Sequence, residues 1–110
     1  MKSILIKNGT LVNEGLVFKS DILIEGERIS KIDKNIEVND NMEVFDAAGK
    51  VILPGVIDDQ VHFREPGLTH KGNINSESKA AIAGGTTSFI EQPNTVPNAV
   101  TQEILQEKYD

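Results

Sequence analysis

The sequence contains no cysteine and no tryptophan in its 110 residues. With no cysteine, disulfides, thiol nucleophiles and Cys-type zinc sites are excluded together, and a cytoplasmic protein is the plain expectation. Positive charge is scarce: 11 Lys and Arg stand against 17 Asp and Glu, a formal net charge of −6. That balance argues against a nucleic-acid face, whose usual footprint is a basic patch. No apolar run approaches the ~18 residues of a membrane span. The opening Met1-Lys2-Ser3-Ile4-Leu5-Ile6-Lys7 returns to charge after three apolar residues and is not a signal peptide. Internal repeats and low-complexity stretches are absent. So is the length for a complete eight-fold α/β barrel, which needs about 250 residues. A chain of this size buries roughly two-thirds of its unfolded surface, enough for one modest core. Charged residues at 25% fit a globular composition.

What is present divides into two textures. Residues 1–53 are short apolar bursts broken by turn residues. Ser3-Ile4-Leu5-Ile6-Lys7 reads as a strand ended by Asn8-Gly9. Thr10-Leu11-Val12 and Leu16-Val17-Phe18 flank Asn13-Glu14-Gly15, a connection suited to a bulged hairpin. Gly26-Glu27 separates two further strands and suits a tight type II′ turn, because glycine reaches positive φ cheaply. Residues 33–41 read as polar loop, and Met42-Glu43-Val44-Phe45 as another strand. Strands at this spacing predict a small β-sandwich or roll. From residue 54 the pattern becomes strand (56–64), helix (76–83, stopped by Gly84-Gly85), strand (86–91) and helix (from Thr101 as N-cap). That order opens a parallel α/β unit. The expected fold class is α/β with an all-β segment, divided as 1–53 and 54–110. The helical pattern is unfinished at Tyr109-Asp110, so the chain reads as a fragment.

Chemistry concentrates in Asp58-Asp59-Gln60-Val61-His62-Phe63-Arg64. If the strand is regular, Asp58, Gln60, His62 and Arg64 share one face, with Val61 and Phe63 on the other. Four polar groups in an apolar neighbourhood are costly unless they meet water, a metal or a ligand. Two readings stay open at this point: a site, or a strand end emerging into solvent with Arg64 paired to Asp58 or Glu65. Asn94 likewise has an alternative in turn chemistry, since Pro93-Asn94-Thr95 is a competent turn. His70, in the polar stretch Thr69-His70-Lys71, reads as a solvated loop residue. Gly84-Gly85 follows a helix and precedes a strand, the reverse of a phosphate loop. Glu77, Glu91 and Glu103 have no identifiable partners and read as solvated surface.

Three ordered motifs carry a resemblance. The run from Pro54-Gly55 through Asp58-Asp59-Gln60-Val61-His62-Phe63-Arg64-Glu65-Pro66-Gly67 resembles the first barrel strand of the amidohydrolase superfamily, and its tail resembles dihydroorotases in particular. Ala80-Ala81-Ile82-Ala83-Gly84-Gly85-Thr86-Thr87 is similar to that family's next segment, and Gln92-Pro93-Asn94-Thr95-Val96-Pro97 to its Met-Pro-Asn-Thr signature. The match runs along the whole chain in order. It implies a β-sandwich segment followed by the first strand-helix-strand-helix of a truncated TIM-like barrel. It also implies reversible hydrolysis of the cyclic amide of dihydroorotate to N-carbamoyl-aspartate in pyrimidine biosynthesis.

In that family one or two zinc ions polarise the ring carbonyl and generate a hydroxide. Later strands supply a carboxylated lysine, further histidines and a proton-handling aspartate. By the resemblance, Arg64 and Asn94 bind the substrate carboxylate, and His62 is a metal ligand. The first-strand pattern departs from the family's His-x-His, because Gln60 stands where the first imidazole is expected. A neutral amide oxygen is a poorer zinc ligand. No catalytic residue is assigned within this chain, which alone is expected to be inactive with zinc absent or weakly held. Two alternatives accompany this reading. One is an inactive dihydroorotase-like scaffold for aspartate carbamoyltransferase, which Gln60 favours and Arg64 with Asn94 disfavours. The other is an allantoinase- or hydantoinase-type enzyme, whose uncharged ring gives Arg64 no carboxylate to hold. Open strand edges point to a homo-oligomer.

Overall fold

A computed structural model describes residues 2–110, in two units that meet between Pro54 and Gly55. In the first unit, β1 (Ser3–Asn13) and β2 (Leu16–Glu25) form one long antiparallel hairpin. Its turn is two residues, Glu14 at φ 48° and Gly15 at φ 75°, the pair of positive values a type I′ turn requires. The expected three-residue bulged connection is therefore corrected: the bulge lies elsewhere. It falls at Asn8, where the register passes from Ile6↔Ile22 to Gly9↔Ser20. Asn8 takes φ 62°, which asparagine tolerates, so the strand bends at Asn8-Gly9 instead of ending there.

The second turn agrees with its sequence. Gly26 adopts φ 62° between Glu25 and Arg28, joining β2 to β3 (Arg28–Asp33). Strands β4 (Met42–Asp46) and β5 (Val51–Ile52) both run parallel to β1, pairing with successive stretches of it. The expected sandwich or roll takes the form of one mixed sheet of five strands. Leu5, Leu23 and Ile36 make its core, with Met42 packed against them. Ile36 reaches that core from the polar loop because its backbone is tied down. Its N–H donates to Asp21 Oδ2 at 2.9 Å, and its carbonyl accepts from Lys7 Nζ at 2.9 Å.

The second unit pairs β6 (Val56–Val61) with β7 (Thr86–Glu91) in parallel, joined through α1 (Ile74–Ala83), and α2 (Gln102–Tyr109) follows. Helix α1 begins where the sequence supplies acceptors for its first N–H groups. Asn73 caps Ser76 at 2.9 Å, and Glu65 Oε2 accepts from the Ile74 N–H at 2.8 Å. It ends as expected at Gly84-Gly85, with Gly85 at φ 93°. Thr101 caps α2 through the Ile104 N–H. Val61 and Phe63 are buried, and Phe63 packs on Phe89 with ring centroids 4.5 Å apart and planes tilted by 57°. No helix among the described residues is long and apolar enough to cross a membrane.

Candidate functional site

The polar end of β6 is less regular than its sequence suggests. The β6–β7 register steps from Asp58↔Phe89 to Val61↔Glu91, three residues against two, so a bulge contains Asp59 and Gln60. Asp58 Oδ1 stabilises it by accepting the Gln60 N–H at 3.0 Å. The strand then ends at Val61, short of Arg64. The expected single face of Asp58, Gln60, His62 and Arg64 is thereby corrected, since strand alternation does not survive a bulge and a strand end.

Beyond Val61 other contacts hold the chain. The Gln92 N–H donates to the Val61 carbonyl at 2.9 Å. The Phe63 N–H donates to both carboxylate oxygens of Glu91, at 3.1 and 2.9 Å. His62 is thus flanked on both sides by fixed backbone while its own side chain is exposed. Arg64 follows at φ 70°, the left-handed region that a long side chain occupies at a cost of about 1–2 kcal/mol. Such strain is retained where neighbouring contacts over-determine it.

Residues 93–99 form the opposing loop. The Pro93 carbonyl accepts from the N–H groups of Thr95 (2.9 Å) and Ala99 (3.0 Å). Thr95 is fully buried, its hydroxyl donating to the Pro97 carbonyl at 2.8 Å. This loop is tied to the one after Arg64 by the Val96 N–H, which donates to the Pro66 carbonyl at 3.1 Å. Gly67, at φ 83°, lies so close to Val96 that a β-carbon there would collide with the Val96 carbonyl oxygen. The result is one direct contact between candidate site residues: His62 Nδ1 lies 3.0 Å from Asn94 Oδ1.

Arg64 makes no ion pair among the described residues. The carboxylates proposed by the plain ion-pair reading are engaged elsewhere, Glu65 on the N-terminus of α1 and Asp58 on Gln60. Gln60 and His70 are exposed. Glu91, expected at the solvated surface, instead clamps Phe63. No local signal marks it, because its partner lies 28 residues away and is found only by pairing β6 with β7. No group of three or more His, Asp or Glu side chains stands close enough to hold a metal ion among the described residues. Zinc centres use three or four protein ligands. His62 with the neutral amide of Gln60 does not make one.

Residues 49–109 match the family model described as dihydro-orotase-like. The chain belongs to that family. It is 53% identical over 96 residues to a dihydroorotase of Sulfurihydrogenibium sp. (strain YO3AOP1), an alignment covering 86% of this chain and 23% of that protein. It is 49% identical over 109 residues to a dihydroorotase of Lactococcus lactis subsp. lactis (strain IL1403), covering 96% and 25% respectively. The chain therefore spans about a quarter of the length of the curated relatives it matches. Among solved structures, the L-hydantoinase (dihydropyrimidinase) of Arthrobacter aurescens superposes with a TM-score of 0.90 at 32% identity, over 98% of this chain and 24% of that one. The D-hydantoinase of Thermus sp. gives 0.76 at 38% identity, over 94% and 23%. Family membership rests on sequence, and the backbone course is shared with hydantoinases.

Proposed function

We propose that this chain is the first portion of a dihydroorotase, and that residues 62–67 and 93–97 form the part of its site that binds the substrate carboxylate. On this reading residues 1–53 are the β segment that precedes the barrel, and residues 54–110 supply the barrel's first two strands. The exposure of Ile57 (69%) and Ile90 (57%) on the paired strands supports it, because parallel strands are ordinarily covered on both faces. The whole protein would open the cyclic amide of dihydroorotate to N-carbamoyl-aspartate, reversibly, in pyrimidine biosynthesis.

The reading is carried by the Arg64 guanidinium, which has no ion-pair partner among the described residues and stands on a strained backbone beside a loop that presents the Asn94 amide. A guanidinium offers a planar fork of donors matched to a carboxylate. With Asn94 Oδ1 engaged on His62, its Nδ2 is left as a second donor. The hydantoinase reading is favoured by the superposed structures, but an uncharged ring gives Arg64 no partner. The scaffold reading, with aspartate carbamoyltransferase as partner, draws only on Gln60. Turnover of dihydroorotate by the protein carrying this segment separates these readings. Hydrolysis of dihydroorotate in preference to hydantoin is expected. Efficient hydantoin hydrolysis with no dihydroorotate turnover would overturn the assignment.

A further inference from the structure

Resting on the carboxylate-binding reading of Asn94, we propose that the same side chain has a second task as the positioning residue of His62, fixing its tautomer and ring orientation. A carbonyl oxygen can only accept. Facing Asn94 Oδ1 at 3.0 Å, His62 Nδ1 is assigned the proton, and the neutral ring then keeps its lone pair on Nε2. Nε2 is then the atom available to accept a proton or to ligate. The partner of one ring nitrogen decides the role of the other.

Both side chains are exposed, so burial does not force them together. They meet because both backbones are held. His62 lies between the Val61 carbonyl bonded to Gln92 and the Phe63 N–H clamped by Glu91. Asn94 lies between Pro93, whose carbonyl accepts twice, and the buried Thr95. The Val96–Pro66 hydrogen bond then joins the two loops. One amide thus accepts from the imidazole and donates on its other side. Carboxylate binding and imidazole orientation are coupled through Asn94.

The test is a long-range proton–nitrogen correlation spectrum of the chain's histidines at alkaline pH, where the ring is neutral, with His62 assigned against His70. The native chain is expected to show His62 protonated on Nδ1. Asn94→Ala should shift it to the Nε2–H form that an unconstrained histidine favours. Asn94→Asp keeps an acceptor oxygen and should restore the Nδ1–H form. An Nε2–H form in the native chain or in Asn94→Asp overturns the proposal, as does an unchanged tautomer in Asn94→Ala. If Asn94→Ala does not fold, the other two spectra still decide. The carboxylate reading fails on a different measurement. Asn94→Asp should raise KM for dihydroorotate at least tenfold in the enzyme carrying this segment, by like-charge repulsion. An unchanged KM sinks that reading and leaves the tautomer result standing.

Discussion

At Arg64 backbone and side chain have opposing requirements: φ of 70° favours glycine, and the guanidinium has no ion-pair partner among the described residues. Arg64→Gly is therefore expected to leave the fold unharmed or up to about 1 kcal/mol more stable in urea denaturation, the relieved strain being partly offset by unfolded-state entropy. A loss exceeding 1 kcal/mol would mean that Arg64 is a structural ion-pair residue after all. Asp21 shows the contrasting case of a charge used for structure. Burial pushes its carboxyl up, but hydrogen bonds from Lys7 Nζ and the N–H groups of Asn8 and Ile36 outweigh that and hold it below the usual aspartate value. A depressed folded-state pKa stabilises the fold above the unfolded value. That stabilisation is lost as pH falls below about 4, through the folded pKa. Asp21→Asn should cost about 3 kcal/mol at neutral pH and flatten the acid limb of the stability curve. Of these residues, Arg64, Asn94, His62 and Gln60 stand out in the sequence because their motifs are contiguous. Asp21 and Glu91 do not, because their partners lie 13 to 28 residues away along the chain.

Elements were legible where turn chemistry is local. Gly26, Thr101 and the Gly84-Gly85 stop act within a few residues of themselves, and each does as its sequence predicts. The two-residue β5 carries no periodicity, and the bulges at Asn8 and at Asp59-Gln60 are imposed by pairing partners, so neither feature shows in a one-dimensional pattern. The same limit hides the contact between the loops that follow β6 and β7. Gly67→Ala should test it. Its β-carbon meets the Val96 carbonyl and its φ is 83°, so a loss of about 2–4 kcal/mol is expected by thermal or chemical denaturation. A loss below 0.5 kcal/mol would mean the loops part readily. Removal of the α1 cap by Asn73→Ala should cost about 1 kcal/mol and leave the loops at residues 62–67 and 93–97 unchanged.

At the scale of the molecule, the sequence motifs and the backbone course agree on one family, while the curated and structural relatives bear different names: dihydroorotases by sequence, hydantoinases by superposition. A shared fold does not choose between substrates, and the choice rests on specific side chains. The role proposed for Arg64 is to read the substrate carboxylate. It is tested most directly by kcat/KM for dihydroorotate against its methyl ester, before and after Arg64→Met, in the enzyme that contains this segment. A charge-assisted bidentate contact predicts a preference for the free acid of about 100-fold, collapsing to a few-fold in the variant. A preference for the acid that survives Arg64→Met undiminished would contradict it.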